Sequence, residues 1–440
     1  MADEVRKTFT SMHISRNFRL FFVGQLISVA GTWVNATALA VLVLRLTDSG
    51  VALGVQSALL FLPVLLFGVL GGTLADRFDK RRILLWANVG YAVLAGLLFV
   101  LVATDVVQMW MVYSISALNG LLYAIEPPTR QSFYAELVGE QHITNAVSLN
   151  SAVFTGTRVL GGAIAGTMIQ AFGLWSPFFL DAVSYVAVIV ALLAMRVDEL
   201  HLHRRAEREP GLARAGIRYV LGSPELRIPL LVMLAVYLFT FNFSVLVPLH
   251  AHRTFDGSAQ QIGLLYAALG LGAFVGAIAM ANRQPTPSLR RLGIFSIAFG
   301  ATMAISGVVP VFWLAMVAMV PVGYASMLFA ITANSTLQRF TRPDMRGRVM
   351  ALYTTIFLGS TAIGGPVTGW AAERWGAPAA FVACGSVAVV AGAAALLTRA
   401  AARTTDADAT TDAEATVEVV ASTDAGSGTA AREGTAARSA

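Results

Sequence analysis

Residues 72–84 read Gly-Thr-Leu-Ala-Asp-Arg-Phe-Asp-Lys-Arg-Arg-Ile-Leu, a short polar segment between two long apolar ones. Four cations alone would indicate no more than the excess of Lys and Arg found on the cytoplasmic side of membrane proteins. The whole frame is more specific, because a small residue and a turn-forming Ala-Asp-Arg precede the basic run. The segment therefore predicts a tight cytoplasmic connection between two membrane helices.

The composition of the chain is that of an integral membrane protein. Hydrophobic residues make up 56% of 440 positions, charged residues make up 13%, and the mean hydropathy is +0.69. Soluble domains carry about 25% charged residues, roughly twice this share. The net charge of +6 does not indicate nucleic-acid binding, because the basic residues lie in the gaps between apolar runs. The single cysteine, Cys384, excludes a disulfide framework or a cysteine metal site.

Twelve apolar runs are each long enough to cross a bilayer as a helix, which takes about 20 residues. None of them shows the alternation of an outer-membrane barrel strand. The sequence therefore predicts an all-α integral membrane protein with about twelve transmembrane helices. The runs cover residues 20–45, 52–75, 83–104, 108–126, 146–172, 177–196, 228–250, 260–281, 292–309, 312–334, 349–372 and 378–398.

The distribution of Lys and Arg predicts the orientation of these helices. With the N-terminus inside, 27 of the 31 basic residues fall in inner segments, and only Arg45, Arg253 and Arg374 lie at outer ends. Such a bias marks the cytoplasmic side, and the excess of Arg over Lys favours a bacterial source. We therefore expect a multi-pass protein of the bacterial cytoplasmic (inner) membrane with both termini in the cytoplasm.

The two halves of the chain share a glycine pattern at a constant offset of 203 residues. The fifth run therefore corresponds to the eleventh, and the start of the sixth run to the start of the twelfth. Chance alignment of glycine-rich helices is the alternative. The matching residues are Phe154, Gly156, Gly161, Gly162, Gly166, Gly173 and Phe178 in the first half, and Phe357, Gly359, Gly364, Gly365, Gly369, Gly376 and Phe381 in the second.

A duplication of this kind predicts two six-helix units in parallel orientation, with a substrate site between them. The polar run His201 to Glu209, followed by Pro210 and Gly211, marks the boundary. The end of the chain carries Ala, Thr, Asp and Glu without aromatic residues, which is typical of disorder. The expected domains are an N-terminal half over 1–196, a cytoplasmic linker over 197–226, a C-terminal half over 227–398 and a disordered cytoplasmic tail over 399–440.

The segment 72–84 resembles the signature of the major facilitator superfamily, G-x-L-a-D-R-x-G-r-k, with Asp79 where the family has Gly. The first half is similar to the drug:proton antiporter branch that includes siderophore exporters, through Asn17-Phe-Arg, Gly24-Gln25 and Pro127-x-x-Arg130. The resemblance covers about residues 13–398. It implies the major facilitator fold, with two pseudo-symmetric six-helix halves. The matching signature residues are Gly72, Leu74, Asp76, Arg77, Lys80 and Arg81.

The resemblance also implies that this loop is a cytoplasmic gate. Asp76 would cap the N-terminus of the eleventh helix near Gly347, where the helix dipole favours an anion. Arg77 or Arg81 would pair with Glu126 and hold the inner side shut while the site faces outward. Plain positive-inside charge is the alternative. The candidate gate residues are Gly72, Asp76, Arg77, Lys80, Arg81 and Glu126.

The glycine run of the fifth helix has two interpretations. In proton antiporters of this superfamily the run reads g-x-x-x-G-P-x-x-G-G and is linked with export, although here Gly162 replaces the proline. The alternative is close helix packing, which small residues permit. The candidate packing glycines are Gly156, Gly161, Gly162, Gly166, Gly364, Gly365 and Gly369.

Three charged residues fall within the apolar runs, namely Glu126, Arg158 and Asp181. Each costs at least about 2.5–3.5 kcal/mol to insert, so each requires a partner or a function. At about 1.5 Å per residue, Arg158 and Asp181 lie at similar depth, and we expect them to be within reach of each other. They form either a static ion pair or a coupling device, in which Asp181 takes a proton when Arg158 turns to substrate. Glu126 is either a gate partner or a proton site reached from the cytoplasm.

The first and seventh helices are expected, from the resemblance, to face the central cavity. Their aromatic residues and few amides suit a lipophilic or amphipathic ligand, while packing against lipid or other helices is the alternative. The cavity candidates are Gln25, Trp33, Asn35, Tyr237, Phe239, Phe241, Asn242 and Phe243.

These features predict a secondary active transporter and not an enzyme, because no run carries a metal-type His pair, a His-containing triad or a phosphate loop. The expected function is proton-coupled export of a lipophilic or amphipathic small molecule, a drug or secondary metabolite, by alternating access. Export of a siderophore or lysolipid, or passive movement of lipid or solute on the same fold, stays open. The expected partners are the bilayer, a small-molecule substrate and protons, with no cofactor, metal or nucleic acid, and the chain is expected to be a monomer.

Overall fold

The computed structural model describes residues 10–201, 212–283 and 286–398, and within these ranges it is almost entirely helical, without strands. The predicted tail, 399–440, and residues 202–211 of the predicted linker lie outside the described residues. The linker also contains a short helix, Leu212–Gly222. The long helices are α1 (Arg16–Thr47), α2 (Gly50–Arg77), α3 (Lys80–Ala103), α4 (Met109–Val138), α5 (Ile143–Phe172), α6 (Trp175–Leu193), α7a (Pro224–Ala235), α7b (Phe243–Phe255), α8 (Ala259–Arg283), α9 (Leu289–Val308), α10 (Phe312–Phe340), α11 (Arg346–Trp375) and α12 (Ala377–Thr398).

Short polar residues fix where several of these helices begin. The side chains of Ser15, Ser49 and Asp79 accept hydrogen bonds from the backbone amides of Phe18, Ala52 and Arg82 at 3.1–3.2 Å. Each bond satisfies an amide that the helix itself leaves without an acceptor. Helices α1, α2 and α3 therefore start at positions set by their capping residues, outside the apolar runs that cross the membrane.

The prediction of about twelve membrane helices is confirmed. Eleven of the described spans are long and apolar enough to cross a membrane, with α7a and α7b together forming one of them, Glu225–Phe255. The remaining long helix, α4, is less apolar because Asn119 and Glu126 interrupt its run. Its 30 residues still equal its neighbours in length, and it packs in the bundle against α2 and α3.

The helix contacts repeat between the two halves. Helix α2 packs on α4 as α8 packs on α10, and α3 packs on α4 as α9 packs on α10. The halves meet where α2 packs on α11 and where α5 packs on α8. These two interfaces are equivalent in the duplicated plan, since α5 corresponds to α11 and α2 to α8. The pseudo-symmetry read from the glycine offset is therefore present in the packing.

Glycines allow the close approach at both interfaces. A Cβ on Gly166 would lie 2.6 Å from the Cα of Gln260, and a Cβ on Gly162 would lie 2.8 Å from the carbonyl oxygen of Gly263. Gly365 packs on Gly54 and Gly369 on Gly50 of the other half, whereas Gly161 packs on Trp33 and Gly364 on Leu238 within their own halves. Gly156 differs from the other candidates, because a Cβ there would meet no described atom within 4 Å.

The two halves are closed on each other at one end of the bundle. Gly50, Gly54 and Gly166 belong to the end that carries Arg45 and Arg253, which we call the outer end. The contact between α2 and α11 continues toward the middle of the bundle, where a Cβ on Gly359 would lie 2.6 Å from Leu65 Cδ1. The opposite, inner end carries the basic loop 77–82 and is the predicted cytoplasmic side.

The seventh span is not a continuous α-helix. Helix α7a leads into a π-helical turn, Val236–Thr240, and α7b starts only at Phe243. Thr240 Oγ1 donates to the Cys384 carbonyl at 2.9 Å, and Asn242 Nδ2 donates to the Leu238 carbonyl at 2.7 Å. Such interruptions are tolerated inside a membrane where the protein itself satisfies the freed backbone groups, and they often mark functional sites.

Candidate functional site

Asp181 lies on α6, where it is 1% exposed, and its side chain faces α1. Its Oδ2 accepts a hydrogen bond from Asn35 Nδ2 at 2.5 Å, while Oδ1 has no hydrogen-bond partner in the described part of the chain. Gly31 leaves room for this group, since a Cβ there would lie 2.9 Å from Ser184 Cβ and 3.2 Å from Asp181 Oδ1. Helices α1 and α6 thus enclose a carboxyl group that makes no ion pair with any described cation.

Arg158 does not reach Asp181, so the predicted contact between them is wrong. Its guanidinium lies over the ring of Trp33, 5.3 Å from the ring centroid. Helix α1 packs against both α5 and α6 and lies between them. Trp33 and Asn35 are two residues apart on α1, about 200° around the helix at 3.6 residues per turn. Arg158 and Asp181 therefore lie on opposite sides of α1, which a comparison of depths alone does not reveal.

Glu126 pairs with Arg130 of its own helix at 3.0 Å, and not with Arg77 or Arg81. Helix α4 continues through Pro127 and Pro128 to Val138, so Glu126 lies twelve residues before its inner end. A Cβ on Gly71 of α2 would lie 3.1 Å from the Cα of Ile125, so Glu126 is level with the turns of α2 that lead into the basic loop. The pairing of Glu126 with Arg77 or Arg81 is expected in the form whose inner side is shut, and it stays a prediction.

Arg130 extends this cluster toward α1, where its Nη1 donates to Gln25 Oε1 at 3.3 Å. The sequence interpretation placed Arg130 outside the membrane, beyond the two prolines. Its spacing of four residues from Glu126, which brings two side chains together on one helix face, is the signal that identifies the pair. Gln25, a cavity candidate, is buried in this polar cluster within the N-terminal half.

The basic loop is bound to its own half in this conformation. Lys80 Nζ pairs with Glu136 Oε1 at 2.5 Å, and Arg81 Nε donates to the Leu192 carbonyl at 2.7 Å, at the end of α6 where the helix dipole favours a cation. Arg77 is exposed. At Gly72 and Asp76 the structure describes only the helical backbone of α2, so the predicted cap of Asp76 on α11 stays a prediction.

A set of polar contacts joins the two halves at the outer end, and we call these residues the outer latch. Glu373 of α11 accepts hydrogen bonds from Ser49 Oγ at 2.5 Å and from the Val51 amide at 3.2 Å, at the N-terminus of α2. His252 Nε2 lies 3.2 Å from Asp48 Oδ1, and Arg253 donates to the Asp48 carbonyl. A carboxylate is favoured at a helix N-terminus. The sequence interpretation missed these residues, which carry no motif.

The cavity candidates of the seventh span lie in an aromatic cluster between that span and α11. Tyr237 is fully buried, with its hydroxyl 3.4 Å from that of Tyr353. Its ring meets those of Phe241 and Phe357 edge to face, with centroids 5.0 and 4.9 Å away. Asn242 is also buried, and its Oδ1 has no described hydrogen-bond partner, whereas Phe239 is half-buried. Contact of these residues with substrate stays a prediction.

The described residues contain no group of three or more His, Cys, Asp or Glu side chains placed to hold a metal ion. The charged side chains enclosed among the described helices include one carboxyl without a cation, one ion pair and one cation over an indole ring. Such a set can bind a proton or an organic molecule between packed helices.

If the outer latch holds the outer end closed, loss of one of its contacts should favour opening at that end. Replacing Glu373 with Ala removes the cap on α2, worth about 0.5–1 kcal/mol at an exposed site, and should shift the protein roughly two- to fivefold toward an outward-open form. The measurement is labelling of Ser57→Cys, in a Cys384→Ser background, by a membrane-impermeant maleimide added at the outer side. Ser57 is suited because it is buried, 3.3 Å from Ser244 of α7b.

The matched control for this experiment is Asp105→Ala, an exposed acid in the α3–α4 loop that makes no contact with the latch. This variant should label like the protein with Glu373 intact. Equal labelling rates for Glu373→Ala and Asp105→Ala would show that the latch does not hold the outer end closed.

Twelve helices in two equivalent halves, closed on each other at the outer end, define a membrane transporter of the major facilitator class. The chain belongs to the transmembrane secretion effector family of that superfamily, whose model matches residues 8–429. The chain is thus a multi-pass membrane transporter and not an enzyme, as the sequence predicted.

Three relatives illustrate the range of this family. The chain is 26% identical over 384 residues to the uncharacterised MFS-type transporter YfiS of Bacillus subtilis, covering 85% of this chain and 91% of that one. It is 22% identical over 381 residues to macrolide efflux protein A of Streptococcus pyogenes, covering 84% and 93%. It is 26% identical over 357 residues to the enterobactin exporter EntS of Shigella flexneri, covering 80% and 84%.

The fold is also that of solved transporter structures. A bacterial homologue of the human lysosomal transporter Spinster, solved in an inward-facing and unoccupied conformation, superposes with a TM-score of 0.69. The superposition covers 87% of this chain and 96% of that one at 14% sequence identity. At that identity the likeness shows the fold alone.

Proposed function

We propose that the chain exports a lipophilic or amphipathic small molecule in exchange for protons, by alternating access. The half over 1–196 and the half over 227–398 act as the two moving units, and the family and its exporter relatives support the direction. The observation that carries the coupling is Asp181, a carboxyl enclosed by α1 and α6 without a cation against it.

Asp181 is a better candidate than Glu126 for the residue that binds and releases the coupled proton. An isolated carboxylate inside a bilayer protein is costly, so protonation and deprotonation of Asp181 change the free energy of the packing of α1 on α6. Glu126 is already compensated by Arg130 at 3.0 Å. Helix α1 also contacts α5, and through Trp33 it contacts Arg158. A proton on one side of α1 can therefore act on a substrate group on the other side.

The basic loop supplies the opposite gate in this proposal. When the outer end opens, α2 and α11 separate there and their inner ends approach. Gly72 and Asp76 then lie next to the N-terminus of α11 at Gly347, while Arg77, Lys80 and Arg81 hold the loop on its own half. The same helix pair, α2 and α11, would thus carry a carboxylate cap at each end, Glu373 outside and Asp76 inside.

The orientation in the proposal follows the charge bias, with both termini in the cytoplasm of a bacterial cell and the chain acting as a monomer. Siderophores and lysolipids fall within the amphipathic substrate class, and the enterobactin exporter among the relatives favours the first of them. A passive facilitator on the same fold would need no enclosed carboxyl such as Asp181.

The test is transport in inverted membrane vesicles with an imposed ΔpH and a panel of dyes, antibiotics and siderophores. We expect at least one compound to accumulate only when the vesicle interior is acidic, and a protonophore to abolish that accumulation. Accumulation that persists with the protonophore present would contradict the proton coupling and support a passive facilitator. Vesicles without the protein provide the background.

A further inference from the structure

Arg158 lies deep in α5 and has no carboxylate partner among the described residues. Lys80 pairs with Glu136 and Arg130 pairs with Glu126, whereas Arg158 forms no ion pair with any described acid and lies over Trp33 instead. Inserting an Arg costs at least about 2.5–3.5 kcal/mol. A stacking contact with an indole ring holds the guanidinium in place but leaves its hydrogen-bond donors available.

The position of Arg158 along α5 places it where the tight packing of this helix ends. Gly161 and Gly162, three and four residues further on, pack tightly against α1 and α8. Gly156, two residues before it, has no described neighbour within 4 Å of a Cβ. Arg158 therefore lies at the inner limit of the close contacts that α5 makes with α1 and with the other half.

Aromatic residues of two helices, one from each half, lie at this position. Arg158 and Gly162 lie one turn apart on the same face of α5, and a Cβ on Gly162 would lie 2.8 Å from the Cβ of Tyr266 on α8. The Tyr266 hydroxyl is held by the Phe243 carbonyl of α7b, to which it donates at 3.2 Å. Trp33 of α1 and Tyr266 of α8 therefore provide apolar ring surfaces on the face of α5 that carries Arg158, between the two halves.

We propose that Arg158 binds an anionic group, a carboxylate or sulfonate, of the exported molecule, whose apolar body packs against Trp33 and Tyr266. A guanidinium binds such groups through paired, charge-assisted hydrogen bonds. The inference rests on the proposed function and narrows its substrate class to amphipathic anions. Asp181 does not compete for Arg158 directly, because α1 lies between them.

The test uses three probes in inverted vesicles with an imposed ΔpH: taurocholate as an anionic amphipath, hydrocortisone as a neutral steroid and tetraphenylphosphonium as a lipophilic cation. Wild-type protein should accumulate taurocholate, and Arg158→Gln should reduce that accumulation at least about tenfold, as expected for loss of a charged hydrogen-bond partner. Arg158→Lys, which keeps the charge, should retain more transport than Arg158→Gln.

Binding by the purified protein gives a second readout that does not depend on transport. Taurocholate should raise the melting temperature of the wild-type protein, as a ligand of the folded state does, and should leave that of Arg158→Gln unchanged. The matched control is Arg196→Gln, an exposed cation of the same half, which should behave like wild type. Arg158→Gln leaves no acid unpaired among the described residues, so it should fold.

The outcomes separate this inference from the proposed function. Equal accumulation of taurocholate by wild type and Arg158→Gln, accumulation of only the neutral or cationic probe, or no effect of taurocholate on melting would overturn the anion site. The first two of these results leave proton-coupled export standing if uptake depends on ΔpH. Taurocholate selectivity that requires Arg158 but no ΔpH would support the anion site and contradict the coupling.

Discussion

Replacing Asp181 with Asn is expected to abolish ΔpH-driven accumulation of substrate, with a loss of at least about tenfold, while downhill movement of the same substrate continues. Asn has the shape of Asp but cannot carry a proton or a negative charge. The change also removes a buried carboxyl that has only Asn35 as a hydrogen-bond partner and makes no described ion pair. It leaves no charge uncompensated, so the fold should be retained.

The control for Asp181→Asn is Ser184→Ala, one turn further along α6. Ser184 is buried beside the same Gly31 and donates to the Asp181 backbone carbonyl at 2.7 Å. Its replacement therefore alters the same contact between α1 and α6 without removing a titratable group. Ser184→Ala should keep ΔpH-driven accumulation. Wild-type accumulation by Asp181→Asn would exclude Asp181 as the coupling residue and direct attention to Glu126.

The second large effect is expected for Gly54→Ala, at the interface of α2 and α11. A Cβ on Gly54 would lie 2.6 Å from the Cα of Pro366 and closer still to the Gly365 carbonyl. Backbone atoms cannot rotate away from the added methyl group as a side chain can. The outer ends of α2 and α11 must therefore separate, at a cost of about 1–3 kcal/mol. A shift of that size moves the conformational equilibrium roughly 5- to 150-fold toward the outward-open form.

The same interface offers a matched control, Gly365→Ala. A Cβ on Gly365 would lie 3.1 Å from the Gly54 carbonyl oxygen and 3.5 Å from Ser57 Cβ, so it requires only a small adjustment. The measurements are transport rate and outer-side maleimide labelling of Ser57→Cys. Gly54→Ala should transport slowly and label fast, whereas Gly365→Ala should resemble wild type. Equal behaviour of the two variants would contradict the assignment of this contact as the outer closure.

Much of the fold could be predicted because the membrane constrains it. A span of about 20 apolar residues needs no tertiary information to identify, and the offset of 203 residues relates Gly161, Gly162 and Gly166 to Gly364, Gly365 and Gly369. Each run packs against the second helix of the opposite half, α5 on α8 and α11 on α2. Gly156 belongs to the same pattern, yet a Cβ there would meet no described atom within 4 Å, a difference that the pattern does not predict.

The errors have identifiable causes. Counting residues gives the depth of Arg158 and Asp181, but their directions depend on which helix lies between α5 and α6. Pro127 and Pro128 indicate the end of a helix in a soluble protein, whereas α4 continues through them to Val138. Helix α4 therefore holds Arg130 and Glu136, which the sequence interpretation placed in the loop after the fourth span.

The outer latch illustrates what one sequence does not contain. Ser49 and Glu373 are 324 residues apart and lie in no motif, and they meet only because α2 packs on α11. The break at Phe241 and Asn242 was also missed, because the apolar run of the seventh span is continuous. In both cases the decisive information is the arrangement of helices, which local patterns do not specify.

The most direct test of proton-coupled export is proton movement evoked by the transported compound in proteoliposomes that contain the purified protein and an entrapped pH indicator. With no ΔpH imposed, a gradient of the compound should drive protons in the opposite direction, and Asp181→Asn should carry the compound without a pH signal. Transport of the compound by wild-type protein without any pH change would contradict the account.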